Sequence, residues 1–210
     1  MKKILIITLI ILNLLIYIPT IAQSKILILS DKVFVIDPGH GGVDVGTSFG
    51  DIYEKNINLS ISILLKKELE NYGAKVYLTR EGDYDLSAPN ATFRKKSDFD
   101  NRIKIINNIK PTLFISIHQN NYEVSKYKGA QVFFKGLEKL ANNIQNNINK
   151  ERKIKKISNK LYMYNKLQTD GLLIECGFLS NSEDRKKLIE IDYQKELSKK
   201  IVQSIKDFYS

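Results

Sequence analysis

Val33-Phe34-Val35-Ile36, followed by Asp37-Pro38-Gly39-His40-Gly41-Gly42, is the passage from which the fold is read. Four consecutive apolar residues of branched or aromatic type suit a buried strand, and the polar, Gly- and Pro-rich stretch after them stops it. Beyond that loop Ile57, Ile61, Leu64, Leu65 and Leu69 recur at helical spacing, and Gly73 ends the helix. Lys75 to Thr79 is the next strand. Strand, helix and strand in that order imply an α/β fold: a single-domain twisted, mostly parallel or mixed sheet flanked by helices.

The same alternation continues to the end of the chain. Glu81 to Ser97 carries Gly, Pro, Asn and charge with neither period, so it is expected as a long loop of the kind kept for binding surfaces. Asp98 to Ile109 is expected as a helix, Thr112 to Ile117 as a strand delivering His118, and Ala130 to Phe134 as another strand. A helix from about Leu137 to Asn149 follows, and Gly171 to Ile174 is a strand that ends at Glu175. The last helix, expected to be capped by Asp192, presents Tyr193, Leu197, Ile201, Val202, Ile205 and Phe208 on one side.

The chain has 210 residues, 43% hydrophobic and 27% charged, which is enough to bury one core and excludes disorder. A formal charge of +10 favours an anionic partner: nucleic acid, a membrane surface or a cell-wall polymer. Of the 33 basic residues only 5 are Arg, whereas base and phosphate recognition leans on Arg, so no nucleic-acid role is expected. Lys150 to Lys156 reads as a solvated helix end or loop. Cys176 is the single cysteine and has no disulfide partner within the chain. With only His40 and His118 as histidines, a metal site must recruit carboxylates.

The N-terminus points to export. Lys2 and Lys3 precede an apolar run from Ile4 to Ile18, broken only by Thr8 and Asn13, and Ala22 offers a small residue for cleavage. The run is short for a bilayer span of about 20 residues and suits a signal peptide, with a retained N-terminal membrane anchor as the alternative. Residues 1–22 are therefore assigned to export and residues 33–208 to the folded domain. The chain is expected outside the cytoplasm, touching membrane only through that first segment.

His40, His118 and Glu175 all follow predicted strands, where open α/β sheets gather their functional groups. A Gly-rich loop can cradle phosphate, but this one lacks the spacings of the known phosphate loops and carries a histidine at its apex. Two neutral imidazoles and one carboxylate with an open position make a catalytic zinc site. Glu54, in the first turn of the helix after the His40 loop, is a candidate for the carboxylate. Asp51-Ile52-Tyr53-Glu54 also has the spacing of a capping box, in which Glu54 would only bind a backbone N–H. Spacing alone does not choose between them. Cys176 beside Glu175 invites a nucleophile reading, but strand alternation turns it to the other face, into the core.

Taken in order, Val35-Ile36-Asp37-Pro38-Gly39-His40-Gly41-Gly42, Glu54-Lys55, Leu78-Thr79-Arg80, Ser116-Ile117-His118-Gln119-Asn120 and Glu175-Cys176-Gly177-Phe178-Leu179-Ser180-Asn181 resemble the successive motifs of the zinc-dependent N-acetylmuramoyl-L-alanine amidases. The stretch from Asp85-Leu86 to Asn101-Arg102 resembles the germination-specific, spore-cortex subgroup. Asp170-Gly171, where the family usually has a proline, and Asn121, where a small residue is common, depart from the pattern.

The resemblance implies that His40, Glu54 and His118 bind Zn2+ and that Glu175 is the catalytic glutamate. It implies hydrolysis of the amide between the lactyl group of N-acetylmuramic acid and L-alanine in peptidoglycan. Asn120 is the expected substrate contact, whereas Arg80 and Arg102 fall in matching motifs without a separable role. An accessory envelope protein is a further expected partner. The rival readings are another exported zinc hydrolase of wall peptides or glycans, or a non-catalytic peptidoglycan-binding module.

If the first segment serves export and not the core, deleting residues 1–22 leaves a soluble protein with a cooperative unfolding transition. A truncated chain that fails to fold shows instead that the segment packs into the domain.

Overall fold

The structure is a computed structural model that describes residues 27–210; the expected export segment, residues 1–22, lies outside the described residues. Among the described residues no helix is long and apolar enough to cross a membrane.

A six-stranded sheet forms the centre, in the order β4(Lys75–Leu78), β1(Val33–Pro38), β5(Leu113–Asn120), β8(Gly171–Phe178), β6(Gln131–Lys135), β7(Lys155–Lys156). The strands β4, β1, β5 and β8 run parallel, and β6 pairs antiparallel with β8. The sheet is thus mixed, as the α/β reading expects. A short hairpin, β2(Ser48–Phe49) with β3(Ile52–Tyr53), stands apart between β1 and the first helix.

Strand alternation sorts the core into two layers. Phe34 and Ile36 of β1, Ile115 and Ile117 of β5, and Leu172 and Ile174 of β8 face one layer. There they meet α1(Glu54–Glu70), α3(Glu138–Asn149) and α6(Ile191–Tyr209), whose Ile61, Leu65, Ile144, Ile201 and Ile205 are fully buried. Cys176 belongs to this layer, so the core reading of that residue holds. Val35, Phe114 and Leu173 face the other layer, covered by Ile103 and Ile106 of α2(Arg94–Ile109) and by Met163 and Tyr164 of the short helix α4(Tyr162–Lys166). Continuing the alternation, Asp37, Ser116, His118 and Glu175 fall on this second face.

Several elements differ from expectation. Helix α2 starts at Arg94, four residues before the expected start, because its first turn is polar and carries no apolar period. Strand β5 continues to Asn120 and β8 to Phe178, so His118 and Glu175 have strand on both sides instead of standing on loops. Polar residues interrupt the apolar run there because that part of the sheet lines a cleft. Glu190, not Asp192, is the N-cap of α6; Asp192 lies in the first turn, where its charge suits the helix dipole. Helix α4, the hairpin, β7 and α5(Ser182–Leu188) are too short to show a period and were not foreseen. Helix α3 ends at Asn149, and the basic stretch after it runs into the exposed edge strand β7, consistent with a solvated surface.

Candidate active site

His40 leaves the end of β1 in a left-handed conformation, with φ of 63°, which a non-glycine residue adopts only when its surroundings impose it. Two buried arginines supply that constraint. Arg102 donates to the carbonyls of Pro38 (3.0 Å) and His40 (2.8 Å), and Arg80 donates to those of Pro38 (3.0 Å), Gly39 (3.1 Å) and Lys55 (2.8 Å). Each arginine is only 1% exposed, so its charge needs compensation. Asp37 and Asp98 pair with Arg102 at 2.6 and 2.8 Å, and Thr79 and Ser116 hydroxyls donate to Asp37. Burial pushes the Asp37 carboxyl up, but the Arg102 charge and these hydrogen bonds outweigh it and hold the pKa below its usual 3.8. Burial and the neighbouring Arg102 bring Arg80 down to about 10, still charged at neutral pH. Both arginines therefore support the His40 loop.

The chain then turns through the hairpin and returns Glu54 to the loop at the first turn of α1. The N–H groups of Glu54 and Lys55 donate to the carbonyls of Thr47 and Val45. Helix α1 has Tyr53 as N-cap with no side-chain cap, so the capping-box alternative fails. Glu54 instead accepts N–H groups from far along the chain: Thr47 at 2.8 Å on Oε2 and Gln119 at 3.0 Å on Oε1. Its Oε2 lies 3.3 Å from His40 Nε2 and its Oε1 lies 3.0 Å from His118 Nδ1. Burial favours the neutral acid, yet the two imidazoles hold Glu54 well below the usual carboxylate range.

Such an approach leaves no room for additional side chains. A Cβ on Gly39 would fall 2.1 Å from the His118 ring, and one on Gly46, whose φ is 68°, would fall 2.4 Å from Glu54 Oε2. Neither glycine can carry a side chain without moving a site residue.

His40, Glu54 and His118 offer ligand atoms that all lie within 4.8 Å of one another. Ligands at zinc distances stand about 3.3 Å apart around a tetrahedral ion, and His40 and His118 each lie about that close to one oxygen of Glu54. The donor set, two imidazoles and an ionised carboxylate already stripped of water, fits a metal ion. Asp44 adds a support that sequence reasoning missed: its Oδ1 lies 3.0 Å from His40 Nδ1, on the ring edge opposite Glu54. Burial lowers the His40 pKa, but Asp44 and Glu54 more than reverse this and raise it to about 9. Its position four residues after His40 within the polar loop was the available signal.

Glu175 sits beside His118 in the register of β5 and β8, on the same face. Its Oε2 is buried and has no hydrogen-bond partner among the described residues. Burial pushes the carboxyl up to about 7, the His118 and His40 charges opposing and the Glu54 charge assisting. These groups open into one cavity of about 270 Å³, lined by His40, Asp44, His118 and Glu175 and walled by Phe99, Leu161 and Leu173 among others. Asn120 lies two residues beyond His118, half-buried, across a register shift in β5; its carbonyl accepts the Leu179 N–H, and the residue does not line this cavity.

A family model described as N-acetylmuramoyl-L-alanine amidase matches residues 34–207. The chain belongs to this family. It is 37% identical over 195 residues to the germination-specific N-acetylmuramoyl-L-alanine amidase of Bacillus subtilis, covering 87% of this chain and 81% of that protein. Among solved structures it superposes on the CwlD amidase from Clostridioides difficile, in complex with the GerS lipoprotein, with a TM-score of 0.78 and 35% identity, covering 84% of this chain and 98% of that one. The catalytic domain of CwlV, an N-acetylmuramoyl-L-alanine amidase from Bacillus (Paenibacillus) polymyxa, matches with a TM-score of 0.72 and 26% identity, covering 84% and 97%. The amidase fold and the α/β reading of the sequence agree.

The buried Asp37–Arg102 pair makes a prediction about pH. Asp37 has its pKa depressed on folding, so its contribution to stability is full above its unfolded value of 3.8 and is lost as pH falls through the folded value. Asp37→Asn leaves Arg102 short of a counter-charge and should cost about 3–5 kcal/mol at pH 7. Urea midpoints across pH should show the gap between variant and parent narrowing once pH drops below about 4. A variant as stable as the parent at pH 7 contradicts the clamp.

Proposed function

We propose that this amidase is zinc-dependent and acts in the bacterial envelope, hydrolysing the amide between the lactyl group of N-acetylmuramic acid and L-alanine of the stem peptide in cell-wall or spore-cortex peptidoglycan. The observation that carries the reading is the cluster of His40, Glu54 and His118 beside a cleft lined by His40, His118 and Glu175, whose Oε2 has no hydrogen-bond partner among the described residues. Three protein ligands with room beside them is the pattern of catalytic zinc sites, not of closed structural ones.

Zinc bound there supplies Lewis acidity, polarising the scissile carbonyl and bringing the pKa of a water down to about 7. His40 and His118 act as neutral ligands, the first with the Asp44 carboxylate 3.0 Å from its Nδ1. Glu175 takes the proton of the attacking water and passes it to the departing L-alanine nitrogen. A carboxyl whose pKa lies near neutrality suits both halves of that transfer. Asn120 is the proposed substrate contact outside the cavity.

Residues 1–22 are proposed to export the chain or to anchor it. An accessory envelope protein is proposed as a partner, supported by the CwlD relative, whose structure is a complex with a lipoprotein.

Three outcomes check this function. The purified protein should bind about one zinc per chain and release stem peptides with a free L-alanine amino terminus from peptidoglycan; release of other bonds points to a different hydrolase. Asp44→Asn should weaken zinc binding about 10- to 100-fold in a chelator titration, against loss of zinc in His40→Ala, Glu54→Ala or His118→Ala. Glu175→Gln should keep zinc and fold while turnover drops at least about 100-fold, since general acid–base catalysis is worth about 10² to 10⁴. Zinc loss in that variant makes Glu175 a ligand, and near-normal turnover leaves the reaction without its base.

A further inference from the structure

The buried face of helix α1 is not uniformly apolar. Beside the stripe of Ile57, Ile61, Leu65 and Leu69 runs a polar row at four-residue spacing, Glu54, Asn58 and Ser62, all of them buried. Asn58 is fully buried and does not line the cavity. Asparagine is a weak helix former, and a buried amide is costly unless it is hydrogen-bonded, so this side chain must find partners inside the protein. Its Nδ2 donates to the Gly39 carbonyl at 3.1 Å and to Glu54 Oε1 at 3.3 Å, and its Oδ1 accepts from Gln119 Nε2 at 3.1 Å. Neither a carbonyl nor a carboxylate can donate, so only this orientation of the amide satisfies both.

Each partner belongs to, or adjoins, one of the three proposed ligands. Gly39 precedes His40, Glu54 is a ligand itself, and Gln119 follows His118. Arg80 joins the His40 loop to α1 through the Gly39 and Lys55 carbonyls but makes no hydrogen bond to β5. Among the described residues, Asn58 is the side chain other than the ligands that is hydrogen-bonded to all three segments. The Glu54 oxygen it holds also accepts the Gln119 N–H at 3.0 Å and lies 3.0 Å from His118 Nδ1. With two N–H donors on Oε1 and the Thr47 N–H on Oε2, the plane of the carboxylate is fixed as well as its position.

We propose that Asn58 is a positioning residue for the metal site: its amide ties the Glu54 carboxylate to the segments that carry His40 and His118, so that the ligand spacing exists before a metal binds. The proposal rests on the zinc reading and deepens it by naming a group that sets metal affinity without touching metal or substrate. A carboxylate free to rotate must be ordered when the ion binds, whereas one already held loses little, and the difference falls on the zinc dissociation constant.

The test is Asn58→Ala in the full chain, with zinc affinity measured by chelator competition on folded, metal-free protein well below its melting temperature. The dissociation constant should rise about 10- to 100-fold, the range for groups that orient metal ligands. Stability falls as well, because Gln119 Nε2 loses its acceptor, so Leu65→Ala serves as the control. Leu65 is a core residue of the same helix, and its variant should melt earlier while binding zinc as the parent does. Parental zinc affinity in Asn58→Ala overturns the proposal, since the amide then serves packing alone. An equal loss of affinity in Leu65→Ala also overturns it, because general loosening of the helix would explain both. Should Asn58→Ala not fold, Gln119→Leu decides: it removes the donor that orients the Asn58 amide but keeps the backbone N–H on Glu54. Affinity about twofold to tenfold weaker there supports the proposal, and unchanged affinity overturns it. A parent protein that binds no zinc sinks the metal reading and this proposal with it, whereas a parent that binds zinc no better than the variants sinks the proposal alone.

Discussion

Two guanidinium groups buried beneath the His40 loop fix the path of the backbone from Pro38 to His40, and the geometry of the site depends on them. Arg80 and Arg102 both donate to the Pro38 carbonyl, and between them they also take the carbonyls of Gly39 and His40. Like charges so close together are tolerable only because Asp37 and Asp98 stand against Arg102. This network holds a non-glycine residue at positive φ, a conformation that costs of order 1–3 kcal/mol when unsupported. The strain is retained where it aims a ring nitrogen at Glu54.

The sheet supplies the remaining vectors. Alternation along β1, β5 and β8 places Asp37, Ser116, His118 and Glu175 on the face covered by α2 and α4, while the opposite face is closed by α1, α3 and α6. Polar groups can collect on one face because the apolar layer on the other carries the packing. The covering on the site side is the short helix α4 and one face of α2, and a cavity remains beside Glu175. The polar groups of the site and the apolar walls of the cavity thus come from the same elements, and Leu173 and Glu175 are neighbours on one strand face.

The strong periods in the sequence mapped well onto the structure: Ile57 to Leu69 and Leu197 to Phe208 form long helices, and Val33 to Ile36 lies in a buried central strand. His40, Glu54 and His118 were chosen from residue type and from family resemblance, and the fold brings all three together. What could not be read was local and polar. Arg80 and Arg102 looked like any motif residues because their work is done through backbone carbonyls, which leave no trace in side-chain pattern. Asp44 lay hidden in a loop of ordinary composition. The capping-box spacing at Asp51–Glu54 left two roles open for the same reason: only the three-dimensional return of the chain brings Glu54 against His40 and His118.

The central claim is that three side chains from three separate elements form one metal-binding point with no sulfur in it, although Cys176 adjoins Glu175 in sequence. X-ray absorption at the zinc edge of the purified, zinc-loaded protein tests this directly. The account requires a first shell of nitrogen and oxygen at about 2.0–2.1 Å with the outer-shell scattering of two imidazoles. A sulfur shell near about 2.3 Å, or a shell without imidazole, would contradict it.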